Sequence, residues 1–271
     1  MTAHQLRAVR IVLVEPIGDL NVGSVARIMK NMGLSQLILV NPQCDPHSDQ
    51  ARQMAVHADD VLLAAQQVKT IPEALRGCQR AIATTARPRD LSTPLETPEA
   101  ALPWLLEHNT VAEVSTALIF GPEDRGLSNT ELNYAQRFVM IPANPAYASL
   151  NLAQAVAVCC YVLYRFALAP MALDSTLNGA ERIEERQQAD TGPQLSTAAL
   201  ENLEGYFQHL EEVLLKIGYL YPHTAISRMG KFRRLFLRAT LSDQEVAMLR
   251  GMLRQLEWAL EQASSPDAPV Q

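Results

Sequence analysis

The stretch Ala117-Leu118-Ile119-Phe120-Gly121-Pro122-Glu123-Asp124-Arg125-Gly126-Leu127-Ser128-Asn129-Thr130-Glu131-Leu132 is an apolar run that breaks into a glycine-bracketed polar loop and then resumes helical spacing. It predicts a strand, a tight loop and a helix. That unit builds open α/β sheets, which bind ligands in the crevice at the carboxyl ends of their strands. Gly121 and Gly126 permit positive φ and close approach to the backbone, and Ser128 or Asn129 is placed to cap the helix. Taken alone, the stretch reads either as a ligand loop or as an ordinary βα turn.

The surrounding chain repeats the pattern. β-branched or apolar runs predict strands over 9–14, 36–40, 81–84, 116–120 and 138–141. Helical spacing covers 21–33, the Ala-rich segment 49–67, a short helix over 71–76, 98–108 and the long apolar 151–168. Alternation of this kind implies a mostly parallel sheet covered on both faces, and it assigns residues 1–168 to one domain. Residues 169–196 turn polar, rich in Pro, Gly and Gln, and read as a linker. Helices over 200–215, 226–239 and 243–262 follow, with Ser242 as N-cap and Glu245 three residues on. They form a small all-helical extension over 197–263, with a disordered tail over 264–271.

Composition narrows the function. The 271 residues are 48% hydrophobic with a net charge of −6, which argues weakly against a nucleic-acid partner. The average hides a local excess: between residues 226 and 257 seven bases (Arg228, Lys231, Arg233, Arg234, Arg238, Arg250, Arg254) face three acids (Asp243, Glu245, Glu257), and such a patch can bind a polyanion. No run approaches the ~20 apolar residues of a membrane span, and the first residues lack a signal core, so a cytoplasmic protein without a membrane partner is expected. Cys44, Cys78, Cys159 and Cys160 lack CxxC spacing and predict reduced thiols rather than a metal site.

Several chemistries drop out. Gly121 to Ser128 has Walker A spacing, but Leu127 replaces the lysine and Glu123-Asp124 would oppose phosphate. The segment Gly18 to Ser24 lacks that lysine too, and there is no G-x-G-x-x-G dinucleotide fingerprint. No G-x-S-x-G elbow or H-E-x-x-H motif occurs, and the six histidines are scattered. Four loops after strands remain, over 15–21, 84–90, 121–128 and 141–151. The last is uncharged and stiffened by two prolines, and it suits a neutral or cationic ligand.

Three of these segments together resemble the SpoU group of the SPOUT RNA methyltransferases, most closely its TrmJ-like tRNA branch. Asn21-Val-Gly23-Ser-Val-Ala-Arg27 matches the first motif, Ile119-Phe-Gly121-Pro-Glu123-Asp-Arg-Gly126-Leu127 the second, and Ile141-Pro142 through Ser149-Leu150-Asn151-Leu152-Ala153 the third. The run Arg233-Arg234-Leu-Phe-Leu-Arg238 with Glu245, Leu249-Arg250 and Gly251 is similar to the helical extension of that branch. The resemblance implies a trefoil-knotted α/β domain, a homodimer, and S-adenosylmethionine held by Thr84, Thr85, Ala86, Gly121, Ile141, Ser149, Leu150 and Asn151. It implies 2′-O-methylation of a cytidine or uridine ribose in the tRNA anticodon loop, expected at position 32. A non-catalytic RNA-binding protein of this fold, a degenerate nucleotide-binding regulator and an rRNA 2′-O-methyltransferase are the alternatives.

Within the resemblance Arg27 takes the catalytic position, with Asn21, Ser149 and Asn151 beside it. A ribose hydroxyl is a poor nucleophile, and an arginine that stays protonated is a better clamp for a phosphate and a developing alkoxide than a base. The structural alternatives are a surface ion pair for Arg27, the helix N-cap for Asn21, and capping for Ser149 or Asn151. Glu123 is expected to brace the loop. Arg87, Arg233, Arg234 and Arg238 are expected to contact RNA, although Pro88 departs from the small polar residue expected beside Arg87.

Overall fold

The computed structural model describes residues 2–86, 94–107, 115–168 and 197–264. They belong to two compact units, Met1–Gln194 and Leu195–Gln271.

The first unit runs α1 (Thr2–Arg7), β1 (Val9–Val14), α2 (Asp19–Asn31), β2 (Gln36–Val40), α3 (Asp49–Ala55), α4 (Asp59–Leu63), β3 (Gln66–Val68), α5 (Ile71–Ala74), β4 (Cys78–Thr84), β5 (Leu95–Glu96), α6 (Pro98–Ala101), α7 (Pro103–Leu106), β6 (Ser115–Phe120), α8 (Asn129–Leu132), β7 (Arg137–Val139) and α9 (Leu152–Leu168). The strands form one sheet in the order β3-β2-β1-β6-β4-β7-β5, and every pairing is parallel. From β1 the chain steps outward to β2 and β3. It then crosses to the other half, where β6 lies between β1 and β4. The carboxyl ends of β6, β4 and β7 are therefore neighbours.

The central strands β1, β4 and β6 are buried on both faces over most of their length, as a parallel sheet requires. Val9, Ile11 and Leu13 join a core with α2 and α9; Val12 and Val14, pointing the other way, are equally inaccessible. On α2 the buried Val22, Val25, Ala26 and Met29 recur at helical spacing. Burying a valine or methionine side chain contributes about 1.5–3 kcal/mol, so packing rather than propensity holds this helix. Gly23 sits where α2 meets α3: an added Cβ would lie 2.1 Å from the Ala51 carbonyl oxygen.

The predicted helix over 49–67 is not continuous. It breaks at Val56, whose φ is +57°, and its end becomes the edge strand β3. Gln66-Gln67 carries no apolar alternation, so this strand owes its form to pairing with β2. Pro103 divides the predicted helix over 98–108 into α6 and α7, because its ring cannot continue the preceding turn. The expected linker over 169–196 lies outside the described residues, as does the tail beyond Ser264. The trefoil threading is a property of the whole closed path, which includes the undescribed residues 87–93 and 108–114.

The second unit is three helices, α10 (Leu200–Lys216), α11 (Pro222–Arg238) and α12 (Asp243–Ser264). Leu203, Tyr206, Phe207, Leu210 and Val213 form the buried stripe of α10, and Tyr206 meets Phe236 edge-on with centroids 5.3 Å apart. Ser242 opens α12 as predicted, its hydroxyl accepting from the Glu245 amide while Glu245 accepts from the Ser242 amide. Among the described residues no helix is long and apolar enough to cross a membrane.

Candidate active site

An open cleft of about 820 Å³, measured with its mouth, lies where β4, β6 and β7 end. Phe120, Val139, Leu152 and Ala155 contribute apolar lining; Thr84, Thr85, Ala86, Gly121, Ile141, Ser149 and Leu150 also line it, and Asn151 does not. The structure thus brings together seven of the eight positions that the resemblance marks for a cofactor. It adds Glu123, Asp124 and Arg125 to the wall.

Gly121 is required by the loop's own path. A Cβ there would lie 2.3 Å from the Leu127 amide nitrogen and 2.5 Å from the Gly126 carbonyl carbon, so only glycine lets the loop fold back on the strand end. Gly126 has φ +65°, a region that side chains disfavour. The loop then enters α8 through a capping box between Ser128 and Glu131.

Three loops that are remote in sequence meet through side-chain amides and one carboxylate. Glu123 accepts from the amides of Ile17 at 3.0 Å and Gly18 at 3.2 Å, and from Asn21 Nδ2 at 2.7 Å. Asn21 Oδ1 accepts from Asn151 Nδ2 at 3.0 Å. Asn151 Oδ1 in turn accepts from the Ala153 and Gln154 amides at the start of α9. Asn151 therefore caps a helix and also holds the relay, whereas Asn21 is not an N-cap. The helix begins two residues earlier, with Gly18 at the N-cap. Gly18 has no side chain to cap the helix, and Glu123 instead fixes its entry by binding the Ile17 and Gly18 amides just before the first turn and the Asn21 side chain within it.

Arg125 grips the same region from the other side. Its guanidinium donates to Glu15 Oε2 at 2.6 Å and to both oxygens of Glu131, at 2.8 and 3.0 Å. Glu15 is held with φ +47°, a strained conformation that costs on the order of 1–3 kcal/mol; its backbone N–H donates to Val40 and its carboxylate accepts from Asn41 Nδ2. Burial alone would raise the Glu131 pKa, but the bonds from Arg125 and Ser128 outweigh it and hold the carboxyl below the usual value. The bonds to Glu131 and Glu15 push the Arg125 guanidinium higher still.

Arg27 lies on the exposed face of α2, outside the cleft lining. It makes no hydrogen bond or ion pair among the described residues, so it does not pair with Glu123. Ser149 is exposed at the cleft edge, and Arg87 lies outside the described residues. In the second unit Arg233 does not face outward: it forms a two-pronged pair with Glu204, one arm at 2.8 Å, and stacks 4.7 Å from the Phe207 ring centroid. Arg234 Nε donates to the Gly230 carbonyl, and Arg238 is exposed. Sequence spacing could not separate these arginines, because the side a residue faces depends on which flank of α11 packs on α10.

The thiols offer no nucleophile. Burial, with Glu99 nearby, pushes Cys159 up to about 12, and Cys160 is also raised by burial. Burial and the charges of Asp19, Glu123 and Asp45 lift Cys44 to about 11. Among the described residues no cluster of three or more His, Cys, Asp or Glu stands ready for a metal ion.

Comparison with known proteins agrees with this geometry. The family model described as SpoU rRNA Methylase family matches residues 8–161, and the one for the tRNA methyltransferase TrmJ C-terminal domain matches residues 201–268. The chain is 41% identical over 252 residues to the tRNA (cytidine/uridine/adenosine-2′-O-)-methyltransferase TrmJ of Pseudomonas aeruginosa, covering 93% of this chain and 95% of that one. It is 42% identical over 253 residues to the tRNA (cytidine/uridine-2′-O-)-methyltransferase TrmJ of Klebsiella pneumoniae, covering 93% and 97%. The crystal structure of TrmJ from Z. mobilis superposes with a TM-score of 0.76 at 32% identity, covering 92% and 98%. With the catalytic-domain model spanning residues 8–161 and relatives aligned over nearly their full length, the chain belongs to the SpoU methylase family, in its TrmJ branch.

Proposed function

We propose that the chain is an S-adenosylmethionine-dependent tRNA 2′-O-ribose methyltransferase that modifies a cytidine or uridine of the anticodon loop. The observation that carries this reading is the relay from Glu123 through Asn21 to Asn151, which ties the first family motif to the second and third, the two that line the cleft at the strand ends. The cleft suits the cofactor. Its apolar lining accepts an adenine, the backbone at Ala86, Ile141 and Leu150 lines the space a ligand would fill, and Glu123 and Asp124 favour a cation over a phosphate. Bound there, S-adenosylmethionine supplies an electrophilic methyl group. Overall, the ribose oxygen gains that methyl and its proton is released.

The chain's residues would prepare the nucleophile. Arg27 offers a planar fork with no partner among the described residues, suited to clamping the phosphate beside the target ribose and to stabilising the developing alkoxide. Leu20, 48% exposed, lies seven residues before Arg27 and so on the same face of α2. Tyr161 and Leu168 form a second exposed apolar pair, on α9, which packs against α2. A second copy covering Leu20 would enclose Arg27, which supports a homodimer. The reading also includes the trefoil threading, a cytoplasmic location, and a catalytic domain over 1–168 joined by 169–196 to a tRNA-binding extension over 197–263.

Labelled S-adenosylmethionine and tRNA transcripts, followed by mapping of 2′-O-methyl nucleotides, test the assignment. Arg27→Lys is expected to lower turnover by about 100-fold while cofactor affinity stays within twofold, since lysine lacks the bidentate fork. Near-normal turnover would sink the clamp. Binding of tRNA without methyl transfer would identify a non-catalytic RNA-binding protein.

A further inference from the structure

The turn between α10 and α11 presents an unusual surface. From residue 217 to 242 the chain has no Asp or Glu, yet it carries Arg228, Lys231, Arg233, Arg234 and Arg238. Tyr219 and Tyr221 stand beside this charge with 52% and 54% of their surface open. Tyr219 is braced from behind: Phe232 lies 6.3 Å away between centroids, and the Arg228 guanidinium sits 5.8 Å from the Tyr219 ring while donating to the Tyr219 carbonyl at 3.1 Å. Tyr221 stacks on His223 with the rings 23° from parallel. Gly218, at φ +72°, makes the turn that presents both tyrosines.

Along α11 the charges sort by face. Arg233 points to Glu204 and is satisfied within the unit. Arg228, Lys231 and Arg238, spaced by three and then seven residues, fall on one exposed face. At 1.5 Å per residue they extend over about 15 Å. Lys231 and Arg238 have no ion-pair partner among the described residues. An acid-free strip of cations next to open, pre-braced aromatic rings matches the chemistry of single-stranded nucleic acid: phosphates for the cations and base faces for the rings. Exposed apolar groups that served a protein partner would not need unpaired charge of one sign.

We propose that this surface is a binding site for an unpaired segment of RNA, with a base stacked on Tyr219, a neighbouring base on Tyr221, and the backbone following Arg228, Lys231 and Arg238. It rests on the reading that RNA is the substrate, and it moves the contact away from Arg233 to a face that includes two tyrosines. Binding of full-length variants to a labelled ten-nucleotide oligouridine, to a tRNA transcript and to a blunt-ended RNA duplex tests it by fluorescence anisotropy across a salt series.

Tyr219→Ala is expected to weaken oligouridine and tRNA binding by about 5- to 150-fold, with the duplex little affected. Tyr219→Phe should stay within about twofold of wild type, because the π-face is retained. Lys231→Ala and Arg238→Ala should each reduce the salt slope by about 0.7 for the single strand. Affinity for S-adenosylmethionine and the melting of the helical unit report an intact fold, and Tyr221→Ala is a second variant at an exposed ring. The proposal is overturned if Tyr219→Ala and Tyr221→Ala bind oligouridine as wild type does, if Tyr219→Phe loses as much as Tyr219→Ala, or if the duplex loses equally. A wild-type chain that binds none of the three RNAs would instead remove the RNA reading beneath it.

Discussion

The cleft of the first unit and the basic face of the second handle charge in opposite ways. In the cleft wall Glu123 and Arg125 are consumed internally: Glu123 holds the start of α2, and Arg125 ties Glu15 to Glu131. On the outer face of α11, Lys231 and Arg238 have no ion-pair partner among the described residues, while Arg233, on the opposite flank, is bound to Glu204. Charges satisfied within the protein shape a pocket whose ligand is recognised by backbone and by fit. Charges left unsatisfied on a rigid helix form a surface that attracts an anion. The first design gives a precise but salt-insensitive site, and the second gives reach at the cost of salt dependence.

The contrast breaks most sharply at Gly121. Gly121→Ala places a methyl 2.3 Å from the Leu127 nitrogen, and the loop must move to admit it. Turnover is expected to fall by about 100-fold or more, with S-adenosylmethionine affinity measured by calorimetry falling alongside it. RNA affinity should change little, since the basic face is elsewhere. An alanine variant with wild-type cofactor affinity would show that the loop is looser than its contacts require.

Arg233 and Arg238 sharpen the comparison inside one helix. Arg233→Ala strands Glu204 in a site where both side chains are about 15% exposed, and it should cost on the order of 3 kcal/mol in the unfolding of the helical unit. Arg238→Ala should leave stability within about 0.5 kcal/mol. Urea melts of the two variants, compared side by side, check this. Equal destabilisation would erase the distinction between a paired and an exposed arginine.

The smallest expected effect is the acid sensitivity of the cleft. The folded-state pKa of Glu131 is depressed below the ordinary 4.5, so its contribution to stability is present above that value and is lost as pH falls beneath it. Arg125→Ala removes the main cause of the depression. Denaturation midpoints at pH 6 and pH 3 should therefore converge more in the variant than in the wild type; an unchanged pH dependence would mean that the capping box alone sets the Glu131 titration.

What was legible in the sequence was whatever repeats locally. The alternation of strand and helix rests on periods of 2 and 3.6 residues, and it located β1, β2, β4, β6, β7 and α9 to within a few residues. The capping box at Ser242–Glu245 follows from i, i+3 geometry, so it too was visible, whereas Ser128 and Asn129 were equal candidates at α8 until the structure chose Ser128. The motif loops were recognisable because each follows a strand. β3 and β5 were not, because Gln66-Gln67 and Leu95-Glu96 have no pattern of their own and become strands only by pairing with a neighbour.

The sequence by itself thus determined a parallel α/β domain, a helical extension, and four loops after strands, the last of them suited to a neutral or cationic ligand. Only the tertiary structure decided that Asn21 answers Glu123 across 102 residues and Asn151 across 130, and that Arg125 reaches Glu15 across 110. It also decided which arginines of α11 are consumed and which are presented. The physical reason is common to both: hydrogen-bond partners between distant segments are set by strand order and helix packing, and no local period records either.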